Sequence, residues 1–279
     1  MELVINILTE SLKISLFVFV MMVAVDLLNL KVKGRLEVIL KSGRKWKQYI
    51  IASGLGVLPG CLGSFAGVSL YMHGVISFGA LTGLMFATAG DEQFVMLSMF
   101  PLTAVKLFLI LFILGIFIGY VTDYFVKKFN IKTRAECEVE QYHPGKKGYR
   151  HYIKDHMWKH IIKKHVFKIF LWTFGALLVI ELVMQFLDLQ SITPHYTLLL
   201  MLLSAFIGLI PESGPHLIFV MMFSKGLIPF SVLFTSSIVQ DGHGILPLLS
   251  YSIKDSAMIK TFNFAFGLIL GFALFLLGF

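Results

Sequence analysis

The sequence predicts an all-α polytopic membrane protein, with about ten transmembrane or re-entrant helices in two inverted five-helix repeats that contain broken helices. Three observations carry that expectation. Of 279 residues, 57% are hydrophobic and only 14% are charged, with a mean hydropathy of +0.83, which is too apolar for an ordinary soluble domain of this length. Apolar runs close to the ~20 residues that cross a bilayer recur along the chain. The chain also repeats itself at a shift of 152 residues.

The runs come first at Ile14–Leu30, Thr103–Thr122, Val166–Leu187 and Lys260–Phe279. Ile14–Leu30 has neither a basic n-region nor a small-residue cleavage site, so a retained helix is expected there. Lys31–Lys47 follows, with Lys31, Lys33, Arg35, Lys41, Arg44, Lys45 and Lys47, and Lys127–Lys164 is similarly basic. Both are expected on the cytoplasmic side of the membrane by the positive-inside rule, which accounts for the net charge of +8 without nucleic-acid binding. Between them, Gln48 to Thr122 has room for four short spans, or for two full spans and a re-entrant hairpin with Pro59 and Gly60 at its tip. The expected division is 1–123 as the first inverted repeat, 124–164 as a basic cytoplasmic linker and 165–279 as the second repeat.

The repeat aligns "GVLPGC" (Gly56–Cys61) with "GLIPES" (Gly208–Ser213). Gly74 then falls on Gly226, Phe78 on Phe230, Gly90 on Gly242, Ser98 on Ser250, and Gly115-x-x-x-Gly119 on Gly267-x-x-x-Gly271. Glycines and prolines in register mark a shared backbone path, and the small-xxx-small pairs suit close helix packing. The segment after the first helix is basic, whereas its counterpart "DLQSITPH" (Asp188–His195) has no Lys or Arg. One first helix therefore ends inside and the other outside, the pattern of an inverted-repeat transporter.

Each half breaks its apolar pattern twice, at "LPGC" and "ATAGDEQ" in one and at "IPESGPH" and "VQDGHGILP" in the other. Pro59, Gly60, Gly90, Pro211, Gly214 and Gly242 are the expected helix-breaking residues. Backbone freed inside hydrocarbon must be buried in protein or line a cavity. Paired breaks therefore point to a substrate path lined by Cys61, Asp91, Glu92, Glu212, Ser213, His216, Gln240, Asp241 and His243. The bland alternative puts these polar groups on loop tips at the membrane surface. Carboxylate, imidazole and amide groups suit Mn²⁺, Fe²⁺ or Zn²⁺, while a Cys61 thiolate favours a softer ion. An anion held by half-helix N-termini is a further alternative, opposed by the surplus of acids.

Asp26 and Glu181, near the ends of the two first helices, are candidates for proton coupling, against an interfacial position for both. Cys61 and Cys137 do not make a disulfide framework. In the linker, His156 and His160 stand four residues apart and could share a metal, but Lys154, Lys159 and Lys163 favour a solvated amphipathic helix.

The set "GVLPGCLG", "ATAGDEQFVML", "GLIPESGPH" and "VQDGHGILPLL" resembles the bacterial ten-helix heavy-metal exporters, members of which are described variously as arsenic efflux proteins or manganese transporters. The resemblance spans essentially the full chain and implies inner-membrane export of a metal or metalloid. The Pro-Gly-Cys cysteine is replaced by selenocysteine in some members, which implies a redox or soft-ligand position at Cys61. Residue by residue, the resemblance points to Cys61, Asp91, Glu92, Glu212, His216, Asp241 and His243.

No G-x-x-x-x-G-K-[ST] phosphate loop is present, so the sequence favours secondary transport over ATP-driven pumping. The expected function is secondary-active export of a divalent metal, Mn²⁺ first, by alternating access. Efflux of arsenite or an organoarsenical through Cys61 is the alternative, and an intramembrane redox enzyme is a more distant one. No resident cofactor is expected; the partners are the bilayer and the transported ion. Oligomeric state is not legible.

Overall fold

The structure, a computed structural model, describes residues 2–32, 45–72, 74–131, 133, 167–186 and 193–279. Among the described residues all regular structure is helical. The helices are α1 (Glu2–Val32), α2 (Lys45–Gly56), α3 (Leu62–Met72), α4 (Phe78–Ala87), α5 (Glu92–Met99) and α6 (Pro101–Lys128). They continue as α7 (Phe167–Phe186), α8 (Thr197–Gly208), α9 (Leu217–Ser224), α10 (Phe230–Val239), α11 (Leu246–Tyr251) and α12 (Ile253–Leu276). Both ends of α8 and of α10 fall 152 residues after those of α2 and α4.

The four apolar runs lie in α1, α6, α7 and α12. Among the described residues, α6 and α12 are long and apolar enough to cross a membrane. The 12 residues of α2 and 11 of α3 reach only ~18 Å at ~1.5 Å per residue, well short of a ~30 Å hydrocarbon core. These two fold back on each other as a hairpin. Gln48, at the start of α2, donates to Val75 O and accepts from Ser77 N, each at 3.2 Å, just beyond the end of α3. At the other end Gly63 lies against the Leu55 carbonyl, where any Cβ would collide. Pro59 and Gly60 form the tip, with Gly60 at φ +91°, a conformation that glycine alone adopts freely.

From the hairpin the chain turns at Ser77, whose hydroxyl caps α4 by accepting from Ala80 N at 3.2 Å; such a cap contributes ~1 kcal/mol. Helix α4 runs beside α2, and their ends meet where Thr88 Oγ1 donates to Gly56 O at 3.0 Å. After a break at Thr88–Asp91 the path continues as α5, so α4 and α5 form one interrupted span. Helix α6 returns antiparallel to α4. Gly115 faces Gly83, Gly119 faces Gly79, and Asp123 accepts from Gly79 N at 2.8 Å, Ser77 Oγ at 2.6 Å and Tyr49 Oη at 2.8 Å. Counting the interrupted span once, the described residues of the first half form five segments. The second half follows the same order, with Gly271 of α12 against Thr235 of α10.

Helix α6 turns an apolar stripe outward, with Leu102 70% and Phe117 60% exposed, while Ala104, Leu107, Leu111 and Ile118 are buried. Buried polar residues, among them Asp91, Glu92, His216, Gln240 and Asp241, lie inside. An apolar exterior over a polar interior is the reverse of a soluble fold and suits lipid. The largest core joins the halves, bringing Phe94, Leu107 and Leu111 together with Leu177, Leu217, Val220 and Phe234.

Helices α1 and α7 pack against each other. Asp26 and Glu181 belong to these helices, but their side chains lie outside the described residues. So does most of Lys31–Lys47 and Lys127–Lys164, with Cys137, His156 and His160.

Candidate metal centre

The four breaks converge. Gly90 and Gly242, equivalent in the repeat, lie back to back: a Cβ built on either would stand 3.3 Å from the Cα of the other. Both have positive φ, at +57° and +51°, and Ser213 Oγ is wedged beside them. The hairpin tip of the first half docks here as Gly60 N donates to Gly90 O at 3.2 Å. A Cβ on Gly60 would stand 2.9 Å from the Phe94 ring, so the tip must be glycine to approach this closely.

That docking sets the donor atoms. Cys61, one residue past the tip, donates from Sγ to Asp91 Oδ1 at 3.6 Å. Asp91 is 3% exposed and stands at the N-terminus of α5 without capping it through its side chain, so its carboxylate turns to the thiol. His243 is the repeat equivalent of Asp91 and enters from the other half. Ligand atoms of Cys61, Asp91 and His243 all lie within 4.8 Å of one another. Donors around a tetrahedral ion at ~2.0–2.3 Å stand about 3.3–3.8 Å apart, inside that outer limit. His243 Nε2 also lies 3.3 Å from Glu212 Oε1, a contact that restrains the orientation of the ring.

The remaining sequence candidates divide around this centre. Gln240 is buried and folds its Oε1 back to accept from Gly242 N at 3.0 Å, holding the break in shape. Glu92 and His216 are completely buried, and among the described residues the Glu92 carboxyl oxygens meet no hydrogen-bond partner. A buried carboxyl left unpaired costs roughly 1–3 kcal/mol. Asp241 turns away from the trio. Its Oδ2 pairs with Lys260 Nζ at 2.8 Å and its Oδ1 accepts from Asn263 Nδ2 at 2.9 Å. Sequence reasoning missed Lys260 and Asn263, because Lys260 stands at the edge of an apolar run. A lysine and an asparagine three residues apart, on the inner side of that run, were the available signal.

The residues brought together offer one sulfur, one oxygen and one nitrogen donor, a set that suits a borderline divalent ion. No curated protein and no solved structure matches the chain. A protein-family model described as "Putative, 10TM heavy-metal exporter" matches it over residues 1–167 and 138–278. Those two matches take in almost the whole length, and the geometry just described supplies metal-ligand chemistry inside an all-helical, apolar-faced fold: the chain belongs to this family of multi-pass membrane heavy-metal exporters.

Proposed function

We propose that the protein exports a divalent metal ion by secondary active transport, binding it between Cys61, Asp91 and His243. The observation that carries the proposal is the meeting of those three ligand atoms within 4.8 Å, on three of the four breaks. The thiol among the donors moves the preferred cargo from Mn²⁺, favoured on sequence, toward Zn²⁺ or Fe²⁺, since affinity for such sites rises from Mn²⁺ along the first row. A single sulfur among three donors also favours a divalent ion over arsenite.

Alternating access between inverted halves is the proposed mechanism. Two contacts support it. Thr133, just past the end of α6, and Asp255, in the first turn of α12, line one recess, so the end of one long helix shares a face with the start of its repeat equivalent. The Phe100 ring, before α6, meets Phe223, at the end of α9, at 5.0 Å. Rocking the halves about the glycine contact at Gly90 and Gly242 would then expose the trio to one face at a time. The face nearer Thr133 is the cytoplasmic one in this proposal, with Lys31–Lys47 and Lys127–Lys164 on that side of a bacterial inner membrane. Asp26 and Glu181, on the mutually packed α1 and α7, are proposed to carry the counter-transported proton.

The test is metal accumulation in inverted membrane vesicles, over a panel of Zn²⁺, Fe²⁺, Mn²⁺ and arsenite, for wild type, Cys61→Ala, Asp91→Asn and His243→Ala. Weakened divalent transport in all three variants supports the site. Wild-type transport in all three would sink it, and loss of arsenite transport alone in Cys61→Ala would put arsenite in place of the metal.

A further inference from the structure

Lys260 sits in a cage made for a small cation. Its ammonium contacts Asp241 Oδ2 at 2.8 Å, Gly208 O at 2.8 Å and Val239 O at 3.3 Å. Gly208 and Val239 are the last residues of α8 and α10, where carbonyls without an intrahelical partner carry the negative end of the helix dipole. Two carbonyl oxygens thus accept from the ammonium, and the carboxylate meets it as an ion pair. Asn263 holds the other carboxylate oxygen at 2.9 Å and leaves Oδ2 to the cation. The Asp241 side chain is fully buried and that of Lys260 is 13% exposed. Carboxylate and half-helix C-termini are the groups with which inverted-repeat transporters hold a driving Na⁺.

The first half has no such cage. There Ala89 and Phe108 occupy the places of Asp241 and Lys260. The carbonyl of Gly56, equivalent to Gly208, is instead met by the Thr88 hydroxyl at 3.0 Å, which also contacts Ser64 Oγ at 3.0 Å. The fold therefore closes the first-half position with a neutral hydroxyl, without any charge. Asp241 and Lys260 stand together in the second half, so the negative cage is found where its cation is supplied by the chain.

We propose that the Asp241, Gly208 and Val239 oxygens form a monovalent-cation site that Lys260 fills as a tethered cation, so that the wild-type protein needs neither Na⁺ nor K⁺ there. The inference does not depend on which ion the Cys61 centre carries, and its test reads no transport. The purified protein, Lys260→Ala, Lys260→Gln and the double variant Lys260→Ala/Asp241→Asn are melted in NaCl, KCl and choline chloride at equal ionic strength. Wild type and the double variant are expected to melt alike in the three salts. Lys260→Ala is expected to gain on the order of 5 °C in Na⁺ or K⁺ over choline, as a ligand that binds only the folded state requires. Lys260→Gln, which keeps an amide donor for the carbonyls but no charge, is expected to respond in the same direction and by less. If Lys260→Ala is recovered from membranes only when Na⁺ or K⁺ is present throughout, that outcome also supports the cage. Recovery of the double variant but never of Lys260→Ala in any salt overturns it, as does a Lys260→Ala that melts alike in all three. Should neither alanine variant be recovered, a cation-insensitive Lys260→Gln overturns it and a cation-stabilised one supports it.

Discussion

The phenol of Tyr71 donates to Asp255 Oδ2 at 2.8 Å, tying the end of α3 in the first half to the start of α12 in the second. At the equivalent junction, 152 residues on from Tyr71, Phe223 packs edge-on against Phe100 at 5.0 Å. Each tyrosine or phenylalanine also meets the first residue of the next helix, Phe78 at 6.2 Å and Phe230 at 6.3 Å. One joint is thus built twice, with a buried hydrogen bond at one end of the molecule and an aromatic contact at the other. Tyr71→Phe converts the polar copy to the apolar one and leaves Asp255 with one fewer donor. A loss of ~1–3 kcal/mol is expected, read as a lower melting temperature of the purified protein, while Phe223→Tyr lacks an acid at the matching place and is expected to gain nothing.

The glycine contact at the centre gives a sharper expectation. A methyl group on Gly90 or Gly242 meets the opposing Cα at 3.3 Å and Ser213 Oγ at 3.0 Å or 2.7 Å, and the left-handed backbone adds ~1–2 kcal/mol. Gly90→Ala and Gly242→Ala should therefore each lower metal transport severely. Ser213→Ala relieves the hydroxyl contact, so it should restore part of the stability of either alanine variant. Absence of any rescue would show that the backbone conformation alone carries the cost.

Helix packing offers a matched pair of substitutions. A Cβ on Gly83 of α4 would land on the Gly115 carbonyl of α6, whereas one on Gly175 of α7 meets nothing within 4 Å. Gly83→Ala forces the two helices apart and is expected to destabilise by ~2 kcal/mol or more, in line with an overpacked core. Gly175→Ala relieves backbone entropy in a helix interior and is expected to stabilise by ~0.5–1 kcal/mol. Melting temperatures of the two variants should move in opposite directions.

These contrasts also mark what could be seen in the sequence. Pro59, Gly60, Gly90 and Gly242 were legible because a break in an apolar run is a local event, written in residues with special backbone freedom. The pair Gly115 and Gly119 was legible by spacing, but its partners Gly79 and Gly83 were not, since α4 and α6 find each other only in three dimensions. Tyr71 and Asp255 stand 184 residues apart and carry no local signature. Asp241 shows the same limit most plainly. Its place in "VQDGHGILP" made it a candidate metal ligand, and only the approach of α12 brings it Lys260 and Asn263. The repeat suggested equal roles for equivalent positions, whereas the two halves differ in chemistry: thiol against hydroxyl at Cys61 and Ser213, carboxylate against imidazole at Asp91 and His243.

That asymmetry bears on Glu212, which has Gly60 as its repeat equivalent and therefore no counterpart beside Asp91. Its Oε1 stands 3.3 Å from His243 Nε2 and restrains the ring that faces Cys61 and Asp91. A carboxylate in that position orients a ligating imidazole and raises its basicity, and losing it typically weakens metal binding 10–100-fold. Glu212→Gln keeps the size of the side chain while removing its charge. It is expected to raise the metal concentration for half-maximal transport by about 10-fold, with the maximal rate less affected. Glu212→Ala should go further, and in a His243→Ala background neither substitution should add to the defect, because the residue through which they act is gone. Initial rates in inverted vesicles over a Zn²⁺ series measure all four. Additive losses in the double variants would instead make Glu212 an independent contact of the ion.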